Sequence, residues 1–403
     1  MVKRSYPRMS SRSYRRLQAG VIAGLPHNMI LALYMDDLRQ RMDDPRVRPM
    51  PTYSRANPDG WGRTREYKHY GAPHYGSNYG LSAEEFRSHF MYGHDKFPLV
   101  LEALHLPDRL EYQPARLGRR AKYVDKEVAL LIFLKRIRTR GSCLIHLVSF
   151  FGRCHGYISD VYKAVLRHLN EKYLSRQVRR LDPKIFHRDR IRDYATTLQT
   201  LDDGPCLLDR LICFIDGSFH PTCRPGSSPA DYENLLQRAF YSGHHKAHGL
   251  NFEFLTFPDG MVGRCFGPVE GRHHDVHLAN EGRLLDLFRV GGPLHGYIGY
   301  GDKAYISMEP YIFHPFFGFT TRDERRFNGS MSSMRVEVEH DIGHVYSRAA
   351  FIQHEMRLRN ENPGIVFLAA VFLHNIHTCV YGNQTACRFK CPPPTLDEYL
   401  YQV

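Results

Sequence analysis

Three acidic residues stand where a fold could gather them. Asp216 closes the apolar run Leu-Ile-Cys-Phe-Ile at 211–215. Asp302 sits in Gly-Tyr-Gly-Asp-Lys-Ala-Tyr, and Glu339 in Val-Glu-Val-Glu-His-Asp-Ile-Gly. The pattern puts the first two at strand ends and the third early in a helix. Carboxylates are the hard oxygen ligands that Mg²⁺ and Mn²⁺ prefer. A pair of such ions can lower the pKa of an attacking water or hydroxyl and stabilise the leaving oxygen. Taken singly, Asp216 or Asp302 is more often a turn former or a helix cap. Taken together, the three read as the centre of a metal-dependent nuclease.

The elements that must position these acids emerge from residue periodicity. Residues 211–215 form a short buried strand. Residues 250–257 alternate, Pro258-Asp259-Gly260 turns the chain, and 261–266 return as the hairpin partner. A helix at 274–289, a strand at 296–300 and a long helix from near Met334 come next, the last after a Pro-rich aromatic loop reaching Ser333. Hairpin, helix, strand, helix is the order of an RNase H-like core, an α/β layered fold. Upstream, Ser82-Ala-Glu-Glu85 is a capping box that opens a helix, and a second helical segment spans 97–106. Residues 121–174 have a helix-turn-helix pattern, with Gly152-Arg153-Cys154 as the turn. In that reading His155, Tyr157 and Ser159 face bases, while Lys163 and Arg167 touch phosphates. The equal alternative is a helical bundle that only packs on the next domain. The expected organisation is a basic, largely disordered arm over 1–80, an α-helical domain over 81–200, and an RNase H-like nuclease domain over 205–403.

Charge narrows the partner. Of 403 residues, 55 are Lys or Arg and 42 are Asp or Glu, a net charge of +13. That balance suits a phosphate backbone better than a small acid. The early cluster of Lys3, Arg4, Arg8, Arg12, Arg15 and Arg16 fits a nuclear localisation signal, a nucleic-acid tail or a plain solvated arm. Nine cysteines with no C-x-x-C pair read as reduced thiols of an intracellular protein. His374, His377, Cys379, Cys387 and Cys391 lack the spacing of structural zinc sites. The longest apolar run, residues 364–373, is too short to span a bilayer, so no membrane is expected.

The motif series is more specific. Ile-Asp-Gly-Ser at 215–218, Tyr-Ser-Gly-His-His-Lys-Ala-His-Gly-Leu-Asn-Phe at 241–252, Gly-Pro-Val-Glu-Gly-Arg-His-His-Asp at 267–275 and Gly-Asp-Lys-Ala-Tyr at 301–305 occur in order. Phe-Asn-Gly-Ser-Met-Ser-Ser-Met-Arg-Val-Glu-Val-Glu at 327–339 and Pro-Pro-Pro-Thr-Leu-Asp-Glu-Tyr-Leu at 392–400 complete the series. Over roughly residues 82–400 the chain resembles PIF/Harbinger-type DDE transposases. The resemblance implies a DNA endonuclease with two Mg²⁺ or Mn²⁺ ions that cuts transposon ends and joins the freed 3′ hydroxyls to target DNA. It makes Asp216 the ligand shared by both ions, with Asp302 and Glu339 holding one each. It also implies a nuclear location, a separate Myb-like DNA-binding partner and a homo-oligomer. A domesticated descendant that binds DNA or acts as an adaptor without cutting is the other reading.

Further site residues are suggested by position. His274 and Asp275 could support the centre from outside, although an Asp near a helix start also caps it. Lys246 and Arg272 are candidate phosphate contacts. Glu337 and Glu339 compete for the third position. At about 100° per residue they lie about 200° apart and flank the apolar stripe of Val338, Ile342 and Val345. Glu337 shares its side with Asp341, His344 and Arg348, which reads as a solvated face; Glu339 lies above Gly343 and Tyr346, a face that can be buried against the strands. The expectation is therefore Glu339, and the family pattern agrees except for Ile342 in the place of an aromatic.

Overall fold

The computed structural model describes residues 81–115, 120–141, 143–201, 208–225 and 231–401, so the expected basic arm lies outside the described residues. The capping box forms. Ser82 Oγ accepts from Glu85 N at 3.2 Å and Glu85 Oε2 accepts from Ser82 N at 2.8 Å, starting α1 (Ala83–Phe90), which buries Phe86 and Phe90. After α2 (Phe97–Ala103) comes an antiparallel hairpin of β1 (Arg109–Gln113) and β2 (Lys122–Asp125), which the sequence pattern does not predict. The chain continues through α3 (Lys126–Arg138), α4 (Ile145–Phe151) and α5 (His155–Leu169). Gly152 ends α4 in the left-handed region, φ 61°, where a side chain would be strained.

The hairpin changes the reading of α5. Tyr157 is half-buried, edge-on to Tyr112 of β1 at 5.2 Å, and Asp160 accepts a 2.6 Å bond from Gln113 Nε2. Of the three residues expected to face bases, only His155 is exposed; Lys163 and Arg167 are both exposed. These helices share a core with the C-terminal half of the chain. Tyr173, in a π-helical turn after α5, stacks on Phe372, Gln177 Nε2 donates to the Tyr399 carbonyl, and Tyr194 of α6 (Arg188–Gln199) stacks on Phe257.

The centre of the fold is a mixed sheet. Strand β3 (Leu211–Pro221) is succeeded by α7 (Asp231–Phe240), β4 (Tyr241–Ser242), β5 (Ala247–Thr256) and β6 (Val262–Glu270). β3 pairs antiparallel with β5, setting Asp216 opposite Phe254, and β5 pairs antiparallel with β6. Beyond α8 (Asp275–Glu281), β7 (Ile298–Tyr300) joins β3 in parallel and β8 (Ile312–Phe313) joins β7 in parallel. The resulting order across the sheet is β6-β5-β3-β7-β8. Residues 249–256 of β5 are buried throughout, as a strand covered on both faces must be.

Two helices depart from expectation. The helix predicted at 274–289 stops at Glu281, because Arg283 turns left-handed and a 3₁₀ turn takes over at Leu284–Leu287. The long helix α9 runs Arg322–Arg348, starting well before Met334. Thr321 Oγ1 accepts from Glu324 N and Glu324 Oε2 accepts from Thr321 N, at 3.2 and 2.6 Å, so a second capping box overrides the loop reading.

Helix α10 (Pro363–Tyr381) carries the apolar run beyond Leu373. With 19 residues and a mean hydropathy of 1.6 over an 18-residue window it is long and apolar enough to cross a membrane by length and composition alone, a test that a buried core helix also passes. It is mostly buried inside the fold: Phe367 stacks on Phe252 of β5 at 4.1 Å. His374, considered for zinc, accepts from Arg348 Nη1 at Nδ1, 2.7 Å, leaving Nε2 to donate to the Gly260 carbonyl at 3.3 Å. Short helices α11 (Gln384–Phe389) and α12 (Leu396–Tyr399) close the fold. The cysteines among the described residues are free.

Candidate active site

Alternation along β3 distributes its polar residues between two sides. Ser218 Oγ lies 3.4 Å from Tyr346 Oη of α9, and Asp216 Oδ1 accepts from Arg335 Nη2, also of α9, at 3.4 Å. Gly217, between them, faces α8. A Cβ there would come within 2.3 Å of Asp275 Oδ1, so only glycine lets the Asp275 carboxylate approach β3 this closely.

Asp302 stands two residues beyond Tyr300, which pairs with Phe214 of β3. It caps the 3₁₀ turn Lys303–Met308, Oδ1 accepting from Ala304 N at 2.8 Å. One oxygen of the carboxylate is thereby held in place by the backbone. Glu339 lies one turn after Arg335 on α9, and Arg335 Nη1 donates to Glu339 Oε1 at 3.0 Å. The Arg335 guanidinium thus spans Asp216 and Glu339 like a fork, joining a strand to a helix through two of the three acids.

Electrostatics tie in the third. Burial pushes the Asp216 carboxyl up to about 6; Arg335 opposes this, while the negative charges of Asp302 and Glu339 add to it. The Asp275 carboxyl is raised by burial and by Asp302, with His274 and His244 pulling the other way. Glu253, opposite Gly217 on β5, is pushed up to about 7 by burial, against the pull of Arg264 at 3.3 Å. Buried Tyr305, three residues after Asp302, is raised well above its usual value by burial and by the four acids Glu253, Asp275, Asp216 and Asp302. Its hydroxyl and Glu253 Oε2 have no hydrogen-bond partner among the described residues.

The donor set suits a hard divalent cation: several carboxylates whose charges raise one another, with Arg335 as the one cation bonded to Asp216 and Glu339. Among the described residues, no three His, Cys, Asp or Glu side chains are gathered closely enough to hold one ion. Two of the acids, Asp216 and Glu339, instead share the Arg335 guanidinium as a common donor.

The two glutamates of α9 face different surroundings, but not those the helix wheel suggests. Glu337 is 3% exposed, bound by Arg388 Nη1 at 2.6 Å and Thr385 Oγ1 at 3.4 Å. Asp341, below it, is fully buried and accepts from Asn383 Nδ2 at 2.9 Å and Thr385 Oγ1 at 3.0 Å. The face read as solvated is a buried polar seam under α11, made tolerable because its carboxylates find donors there. Glu339 is 52% exposed, open rather than sealed against the strands.

His274 is the N-cap residue of α8, making no side-chain cap bond. Lys246 and Arg272 are exposed, and the bond from Gly271 N to the Gly249 carbonyl draws their two loops to one end of the sheet. Sequence reasoning missed Arg335, Glu253 and Tyr305. Arg335 could have been found as the i−4 neighbour of Glu339, and Glu253 as the lone acid in an otherwise apolar, doubly covered strand. No curated protein and no solved structure matches the chain. Residues 215–375, the stretch that carries Asp216, Asp302 and Glu339, match the family of DDE superfamily endonucleases.

Proposed function

We propose that the chain is a DDE-type DNA endonuclease of the PIF/Harbinger kind, with Asp216, Asp302 and Glu339 as its catalytic acids and two Mg²⁺ or Mn²⁺ ions as cofactors. The observation that carries this reading is the coupling of the three acids: the charges of Asp302 and Glu339 both raise the buried Asp216 carboxyl. The strand order β6-β5-β3-β7-β8 supports an RNase H-like core: Asp216 lies midway along β3, which runs on to Pro221 instead of ending at the acid as expected, Asp302 lies just past the end of neighbouring β7, and Glu339 is on the helix after β8.

When bound, the two ions would activate the attacking water or 3′ hydroxyl and stabilise the leaving oxygen. Asp216, between the other two acids, would serve both, and Asp302 and Glu339 one each. The chain's own part is to hold the carboxylates without free rotation. The Ala304 amide fixes Asp302, β3 fixes Asp216, and Asp275, seated on Gly217, supports the site from the α8 side with His274 beside it. Lys163, Arg167, Lys246 and Arg272 are exposed cations suited to DNA phosphates. In this reading the protein works in the nucleus, as a homo-oligomer and with a Myb-like partner, and joins 3′ ends to target DNA.

The Arg335 fork favours a second reading. A carboxylate pair already bridged by an internal arginine fits a domesticated DNA-binding or adaptor protein that no longer cuts. Nicking of supercoiled plasmid separates the two. The endonuclease reading expects cleavage with Mg²⁺ or Mn²⁺, none with EDTA, and a loss of at least about a hundredfold in Asp216→Asn, Asp302→Asn and Glu339→Gln, beyond the usual cost of losing an outer-shell partner. DNA binding by the wild type without cleavage in either metal would favour the adaptor.

A further inference from the structure

The connection from β8 to α9 reads His-Pro-Phe-Phe-Gly-Phe-Thr-Thr over residues 314–321 and leaves large aromatic rings in water. Its base is fixed. Asn328 of α9 clasps Phe316 from both sides, accepting from its N at 2.9 Å and donating to its carbonyl at 2.7 Å. The Phe316 ring meets Phe327 at 5.3 Å, and Phe327 leans toward Tyr300 at 6.3 Å. Gly318, with φ 81°, turns the chain at the tip. Beyond the clasp, Phe317 is 61% exposed and Phe319 fully exposed.

The loop leaves the sheet at the end where Asp302 follows β7. It departs from β8, whose Phe313 pairs with Tyr300, two residues before Asp302, and it returns as the helix that carries Arg335 and Glu339. The first turns of that helix present Arg322, Arg325 and Arg326 to solvent, and Arg325 also bonds to the Thr320 carbonyl. Bare rings held out by a pinned base mark a binding surface rather than a packing defect. Exposed rings followed by a helix start that carries three arginines, with Asp323 and Glu324 among them, match the two parts of a nucleotide: a flat base that stacks and a phosphate that pairs with a cation. Bases inside a closed duplex are already stacked on their neighbours, so only an unpaired base can use such a platform.

We propose that Phe317 and Phe319 form a stacking platform for unpaired DNA bases at the edge of the acid site, with Arg322 and Arg326 holding the adjoining phosphates. The proposal rests on the endonuclease reading, because it needs DNA at the acids and strands that open there.

The test uses the full chain in EDTA, so that nothing is cut. Wild type and the double variant Phe317→Ser/Phe319→Ser are titrated against an oligothymidylate carrying one 2-aminopurine, and against a closed duplex of equal length. The platform predicts quenching by the wild type, and in the variant a loss of quenching and a drop in single-strand affinity of at least about fivefold, the low end for one lost base stack. Duplex affinity should stay within about twofold, and the melting temperature should hold, because both side chains are exposed. Equal single-strand affinity and quenching in both proteins overturns the platform and leaves the endonuclease reading standing. A wild type that binds neither DNA form overturns both. A variant that changes sedimentation while binding the single strand as before assigns the surface to contact between copies and also overturns the platform.

Discussion

Replacing Asp216 by Asn should make the metal-free protein more stable at neutral and alkaline pH. In the fold its carboxyl is pushed from the usual 3.8 up to about 6, by burial above all, with Asp302 and Glu339 adding to the effect and Arg335 opposing it. A raised carboxyl binds its proton more tightly in the folded chain than in the unfolded one. Asp216 therefore costs nothing below the unfolded pKa, costs progressively more as pH rises from about 4 to 6, and carries its full penalty above that. Two units of difference correspond to roughly 3 kcal/mol. The side chain is only 18% exposed, so little of this is lost to solvent screening. The value of about 6 already includes the opposing pull of Arg335, so the expected gain is roughly 3 kcal/mol near pH 8, falling to under about 1 kcal/mol near pH 4. Urea denaturation of both proteins in EDTA across that range measures it. Added Mg²⁺ or Mn²⁺ should stabilise only the wild type and shrink the difference. An Asp216→Asn protein that is less stable at every pH, by a constant amount, would refute the reasoning and make Asp216 an ordinary structural partner of Arg335.

Three other perturbations test neighbouring parts of the site. Arg335→Gln removes the internal cation, so calorimetric Mn²⁺ affinity should rise about tenfold, corresponding to about 1.4 kcal/mol; unchanged affinity would mean that Arg335 does not compete with the metal. Glu337→Gln should keep metal-dependent nicking yet lower stability by about 1–3 kcal/mol, the cost of weakening a buried charge-assisted bond to Arg388; loss of nicking in a folded variant would move the third acid to Glu337. Gly217→Ala should push the Asp275 carboxylate aside with little change in melting temperature, because the clash is with the end of a side chain. Nicking should then fall about 10- to 100-fold, as when an outer-shell group is lost, and full activity would remove Asp275 from the site.

The sheet was legible where burial wrote a pattern. Residues 211–215 and 250–257 are apolar enough to declare strands, and the Pro258-Asp259-Gly260 turn fixes the hairpin between β5 and β6. The β1–β2 hairpin was not, because each strand buries a single side chain, Leu110 and Val124, and so carries no period. The first turns of α9, Arg-Asp-Glu-Arg-Arg, hold no apolar stripe, and only the Thr321–Glu324 capping box announced the start. Glu339 is the glutamate that shares Arg335 with Asp216, yet helix geometry alone could not tell which polar face was wet. That depends on Arg388, Thr385 and Asn383, some fifty residues downstream in sequence. The Arg335 fork was hidden for the same reason: spacing gives its pairing with Glu339, whereas its reach to Asp216 is a tertiary distance.

The central claim is that Asp216, Asp302 and Glu339 form a divalent-metal centre now held by Arg335. Crystals of the wild-type protein soaked in Mn²⁺ and measured at the manganese absorption edge test it most directly. Anomalous peaks bounded by these three carboxylates, with the Arg335 guanidinium withdrawn from between Asp216 and Glu339, are the predicted result. Manganese bound elsewhere, with Arg335 still bridging the two acids, would contradict it.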